Sequence, residues 1–241
     1  MQKGGVGKTS ISGVIACSLA RHGHKTVLVD CDPQGNSSSW FYTCGELRHD
    51  IADVLSGRAE LDDALRPIAE NLSLLPVIAI GGNLKRWVET ELAQSPRAVD
   101  FLMGDIEKRG FEYAVCDCSP SFSQLERAVI AASDEVVNPL SPEFFSVDGI
   151  EIFASELARI EKANRKKIRN DKIVVNMMNR SFTRHKEFYE ALKGLRYTVF
   201  MIPQDGKIAE SQIAHQSLFD FAPNTRSIAD FETLALAILA G

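Results

Sequence analysis

The stretch Gln2-Lys3-Gly4-Gly5-Val6-Gly7-Lys8-Thr9-Ser10 constrains this chain more than any other. Three glycines ahead of a Lys-Thr pair make a loop whose backbone N–H groups can turn inward around a phosphate chain. In such a loop Lys8 reaches the β- and γ-phosphates as a point charge and the Thr9 hydroxyl ligates Mg²⁺. From Ser10 onward, Ile11, Val14, Ile15 and Leu19 recur at helical spacing as far as Gly23, so the positive end of a helix dipole adds to the site.

The general pattern G-x-x-x-x-G-K-[ST] requires glycine where Gln2 stands. With a lysine directly before the glycine pair, the loop resembles instead the deviant Walker A loop of the ParA/MinD superfamily, and within it the ParA-type partition ATPases. The resemblance implies that the residues from Lys3 to Ser10 bind ATP with Mg²⁺. It also implies that Lys3 crosses a dimer interface to the phosphates held by a partner subunit, which places Lys3 beside Lys8 in the catalytic set.

Two acidic strand ends follow. Residues 26–29 form a short apolar strand running into Asp30-Cys31-Asp32-Pro33-Gln34-Gly35-Asn36. Asp-Pro-Gln-Gly is turn chemistry, yet the carboxyl end of such a strand is also where α/β folds place catalysis. The run VLVDCDPQGN resembles the second ParA signature, which implies that Asp32 polarises the attacking water and that Asp30 supports the magnesium site. Tyr113-Ala114-Val115-Cys116-Asp117 is a second apolar strand ending in an acid. That acid could cap a turn; beside a phosphate loop it reads as the group that orders a water on Mg²⁺. The family usually has Asp-x-Pro-Pro-Ser here, and this chain has Asp117-Cys118-Ser119-Pro120-Ser121.

Helical periodicity predicts helices over 50–56, 60–66, 83–92, 98–108, 124–132, 147–163 and 228–239, and strands over 72–76, 135–139, 172–177 and 198–202. In relatives the polar end of the 172–177 strand lies near adenine, which implies a base contact for Asn176. Ile202-Pro203 through Ile208 and Glu210 resembles the ParA C-terminal signature, with Pro203 packing on adenine and Lys207 where some relatives place a DNA-contacting base. The resemblance covers nearly the whole chain. The expected fold is therefore α/β: a mostly parallel central sheet flanked by helices on both faces, a P-loop NTPase in one domain over 1–241. The family has a buried strand immediately before the loop where this sequence has only Met1, so the fold is expected to lack that first strand. No helix-turn-helix precedes the loop, so site-specific operator binding is not expected.

Net charge is −5, so any nucleic-acid contact must come from a local patch. One candidate lies between Arg159 and Lys172, where seven basic residues stand against Glu161 and Asp171. It is either a solvated face or a phosphate-backbone site built on Arg165, Lys166, Lys167 and Arg169, with Arg180, Arg184 and Lys186 extending it. No aromatics interleave, which argues against single-strand stacking. Trp40, Phe41, Tyr42 and Trp87 read as core or interface rather than a ligand groove. The five cysteines read as buried thiols, because Cys116 and Cys118 lack further ligands nearby. No signal peptide or membrane-length apolar run is present, which predicts a cytoplasmic, nucleoid-associated protein.

The expectation is thus an Mg-ATP-dependent homodimer that binds double-stranded DNA non-specifically and drives plasmid or chromosome partition with a ParB-like adaptor. The alternatives are a relative that positions protein cargo and a non-catalytic DNA-binding scaffold. A membrane-cycling MinD-like protein is disfavoured because no lysine or arginine follows Arg226.

Overall fold

The computed structural model describes residues 5–142, 147–179 and 181–241. Lys3 and Gly4 of the expected nucleotide site and Arg180 of the basic set lie outside the described residues.

The strands are β1 (Thr26–Asp30), β2 (Arg66–Ala69), β3 (Leu72–Leu75), β4 (Tyr113–Asp117), β5 (Glu135–Leu140), β6 (Arg169–Met178) and β7 (Thr198–Pro203). The helices of the first half are α1 (Lys8–Arg21), α2 (Asn36–Phe41), α3 (Ile51–Leu55), α4 (Leu61–Ala64), α5 (Leu84–Thr90) and α6 (Ala98–Lys108). Those of the second half are α7 (Gln124–Ala132), α8 (Val147–Asn164), α9 (Thr183–Lys193), α10 (Gly206–Ile213), α11 (Leu218–Phe221) and α12 (Ser227–Leu239). The periodicity finds the long elements. It misses α2 and α9, which are rich in serine or charge, the short helices α10 and α11, and β2, a short antiparallel edge strand.

β1 is buried at every position because helices cover both of its faces. Leu28 points into a cluster with Ile15, Leu19, Phe231 and Leu234 from α1 and α12, while Val27 and Val29 point into a cluster with Ile51, Leu102, Ile106 and Leu125 from α3, α6 and α7. The last helix, α12, therefore spends its apolar face on α1, and Ser18 Oγ donates to Glu232 Oε1 at 2.7 Å to fix the pairing. No helix among the described residues is long and apolar enough to cross a membrane.

Sheet order is β2-β3-β1-β4 in one sheet and β5-β6-β7 in another, all parallel except the β2–β3 pair. The expected central sheet is thus mostly parallel but divided. Among the described residues no strand precedes α1, and β4 and β5 have no ladder partner on their outer sides. Both strands line one cavity of about 1140 Å³, which contains residues 111–119 and 134–139. The two sheets still share a core, because Val174 of β6 and Ile202 of β7 join the cluster that holds Leu28 and Leu74.

Trp40 and Trp87 are fully buried, as a core role requires. The Trp40 indole N–H donates to Gln216 O at 2.8 Å, and the ring packs so closely on α1 that a Cβ at Gly13 would come within 2.3 Å of it.

Candidate nucleotide site

All strand ends that carry candidate acids converge on the start of α1. The loop reaches that helix through two left-handed residues, Gly5 and Gly7, both with φ of 82°, a conformation that side chains other than glycine rarely adopt. Gly7 serves as N-cap of α1, so the helix's first amides point out of the loop with no capping side chain to occupy them. Such unspent N–H groups are what a phosphate would take up.

Asn176 approaches this loop from β6. Its Nδ2 donates to Val6 O at 3.0 Å, and a Cβ on Gly7 would lie 2.1 Å from that same nitrogen. Asn176 is buried, and its side-chain amide supports the loop backbone from beneath Val6. Pro203 ends β7 in register with Met178, next to that strand end. Ser10, one turn into α1, is fixed from α10 by Gln212 Nε2 at 3.1 Å.

The acids sit side by side because β1 and β4 are in register: Asp30 is the partner of Asp117. Both are buried. Asp30 Oδ1 accepts from Asp32 N at 3.1 Å, and its Oδ2 accepts from Ser38 N at 2.8 Å and Ser38 Oγ at 2.7 Å. Burial first, and the Asp117 charge second, push its carboxyl up to about 7. Asp117 is also raised by burial, while the hydroxyls of Thr9 and Ser37 pull the other way. Ser37 Oγ donates to Asp117 Oδ2 at 2.8 Å, and among the described residues Asp117 Oδ1 is a buried oxygen without a hydrogen-bond partner. Burial depresses the Lys8 ammonium, and the charges of Asp117 and Asp32 work against that depression.

An orphaned carboxylate oxygen beside a threonine hydroxyl is a hard-oxygen donor set, and it fits Mg²⁺, which takes one or two protein oxygens and fills its shell with water and phosphate. Asp32 reconciles its two readings. Its Oδ1 accepts from Gln34 N at 2.9 Å and its carbonyl from Gly35 N at 2.8 Å, which is turn chemistry, and the same turn keeps the carboxylate near Lys8.

Sequence reasoning missed Ser37 and Ser38. These two serines on α2 hold the two acids, and Ser38 Oγ also accepts from Val77 N at 2.7 Å. The only signal was the run Asn-Ser-Ser-Ser directly after the acidic turn.

Most cations of the expected basic patch have an acidic neighbour. Lys166 pairs with Asp134 at 3.0 Å, Lys167 with Glu161 at 2.9 Å, and Arg169 and Lys172 share Glu135 at 2.9 and 2.6 Å. Lys207 pairs with Glu210 at 2.6 Å. Of the five named candidates, only Arg165 makes no ion pair among the described residues. Arg184 and Lys186 stand on α9, after the far end of the 10-residue β6, on the order of 30 Å from Arg165. Both are exposed on the edge that carries Asn176, with no ion pair among the described residues.

A family profile described as AAA domain matches residues 1–170. An uncharacterized protein of Borreliella burgdorferi, BBD21, is 42% identical over 239 residues, covering 99% of this chain and 96% of that one. The chromosome partitioning protein ParA of Caulobacter vibrioides is 32% identical over 184 residues, 74% of this chain and 68% of its own. The septum site-determining protein MinD of Pyrococcus horikoshii, solved with Mg-ADP, superposes with a TM-score of 0.79 at 21% identity, covering 99% of this chain and 94% of that one. That last likeness speaks for the fold.

Proposed function

Because the chain belongs to the AAA domain family and, within it, to the ParA-type ATPases, we propose that it is a partition ATPase that binds Mg-ATP between two copies of itself and holds DNA only in that state. The observation that carries this reading is the buried Asp117 Oδ1, without a hydrogen-bond partner among the described residues, next to Thr9 and Lys8 at the mouth of a loop shaped by Gly5 and Gly7. Thr9 and Asp117 would hold Mg²⁺, with Asp30 supporting from the adjacent strand. Bound there, the ion supplies neutralisation of charge on the β- and γ-phosphates.

The loop amides and Lys8 bind the phosphates, and the depressed ammonium regains its charge preference when they arrive. Asp32, whose Oδ1 is held by Gln34 N while its carboxylate stays near Lys8, orients the attacking water. Lys3 completes the partner's site. A ParB-like adaptor accelerates hydrolysis, and the DNA contact is sequence-independent. Arg184 and Lys186 support a DNA face on the nucleotide edge, since they are exposed and make no ion pair among the described residues, and that edge is where a second copy and ATP would act together.

The test is retention of the protein on arbitrary duplex DNA with ATP, ADP or no nucleotide, at two salt concentrations, with ATP turnover measured alongside. Retention with ATP alone, weakening steeply with salt, is the expected result. Retention that ignores nucleotide would leave a DNA-binding scaffold in its place. ATP turnover without any retention would favour a protein cargo.

A further inference from the structure

The segment between β4 and α7 is tied down by one carboxylate. Ser123 is the N-cap of α7 and accepts from Leu125 N at 3.3 Å. The spacing Ser123-Gln124-Leu125-Glu126 is that of a capping box, in which the glutamate turns back to the N-cap amide. Glu126 does otherwise. One of its oxygens accepts the Ser123 hydroxyl and the other accepts the hydroxyl of Ser119, whose oxygen lies 2.9 Å from Ser121 Oγ.

This arrangement exceeds what a helix cap needs. Glu126 is only 3% exposed, and a carboxylate so buried is costly unless its oxygens are hydrogen-bonded. Ser123 serves the cap, whereas Ser119 lies seven residues back, two after Asp117. Ser119 also stands where the resembled pattern has proline, a residue with no donor, so the link belongs to this chain's own sequence. Glu126, Ser119, Lys8 and Asp117 all line the same cavity, and the Glu126 charge acts on Lys8.

We propose that Glu126, through the Ser119 hydroxyl, is a positioning residue for ATP hydrolysis that fixes residues 118–123 and so holds Asp117 in its working geometry beside Lys8. Glu126 touches no phosphate and carries no proton in the reaction. It acts by removing alternatives for the segment that follows Asp117, and small misplacements of that kind are expensive for a reaction that depends on alignment. The inference rests on reading the site as one that hydrolyses ATP.

The experiment compares the parental protein with Ser119→Ala, Glu126→Ala, the double variant and Glu126→Gln. It measures ATP turnover (kcat and KM), Tm, and hydrogen exchange of residues 118–123 without nucleotide. Ser119→Ala should lower kcat about 10-fold with KM moved much less, and should speed exchange in 118–123 while the amides of α7 and Tm stay near parental. Glu126→Ala should do the same to kcat, and the double variant should fall no further, since both remove one link. Glu126→Gln keeps an acceptor and should restore most of kcat. Parental kcat in Ser119→Ala, unchanged exchange in 118–123, or losses that multiply in the double variant would each overturn the proposal; so would an activity loss that only follows Tm. A parental protein that binds but never turns over ATP would overturn the reading of the site itself, and this inference with it.

Discussion

Asn176 Nδ2 donates to Val6 O at 3.0 Å, so a strand of the second sheet holds the phosphate loop that opens the first helix. The bond joins residues 170 positions apart. It makes the loop's shape depend on the packing of both sheets, and it explains why glycine is required at position 7, where a Cβ would strike that amide.

Asn176→Ala should leave the fully buried Val6 with an unpaired carbonyl, costing about 1–3 kcal/mol and weakening nucleotide binding. Gly7→Ala adds backbone strain of roughly 1–3 kcal/mol to the clash. Because the alanine at 176 removes the clash, the double variant should lose less than the sum. Chemical denaturation and nucleotide titration of the three variants check this; strictly additive losses would show that the two sites do not meet.

Lys8→Ala should abolish nucleotide binding, whereas Asp32→Ala should bind ATP and dimerise yet hydrolyse at least about 100-fold more slowly. Nucleotide binding, sizing with ATP and single-turnover hydrolysis separate the two. Normal hydrolysis by Asp32→Ala would remove its role with the water.

Stability without metal should fall as pH rises from about 4 to about 7. Asp30 keeps its proton up to about 7 when folded, against an ordinary value of 3.8. Across that window the folded state binds more protons than the unfolded one, and stability falls with pH wherever that holds. The contribution is present at low pH and gone above 7. Asp30→Asn should flatten this slope in Tm measured against pH in chelator, and added Mg²⁺ should lift the parental Tm chiefly at the upper end.

Ser38→Ala removes a hydroxyl that serves Asp30 and the Val77 amide at once. The expected loss is about 2–4 kcal/mol of stability, by equilibrium denaturation. Nucleotide affinity should fall as well, because Asp30 then loses one of its three donors.

Arg184→Ala with Lys186→Ala should reduce the slope of log affinity against log salt by roughly 1 for each phosphate no longer neutralised. Lys167→Ala and Lys207→Ala should change it little, since those cations already face Glu161 and Glu210. Equal effects from all four would return the DNA face to the Arg159–Lys172 stretch.

The local motifs were legible because their chemistry is written in consecutive residues. A glycine loop before Lys8-Thr9, and apolar strands ending at Asp30 and Asp117, need only their own order to be recognised. The two serines that hold those acids were not legible. Ser37 and Ser38 reach Asp117 and Asp30 across 80 and 8 positions, and their hydroxyls carry no mark distinguishing them from any other polar turn.

By itself the sequence determined the phosphate loop, the acids, the helix that follows them and the mostly parallel α/β plan, since each follows from backbone chemistry and short-range periodicity. Only the tertiary structure decided what those residues face. It brought Asn176 of β6 onto the loop backbone, and it set Asp30 directly beside Asp117. It also brought Asp134 and Glu135 onto cations that look unopposed when the stretch is read alone. Burial and charge pairing are properties of neighbours in space, and a chain acquires those neighbours only when its strands are set side by side.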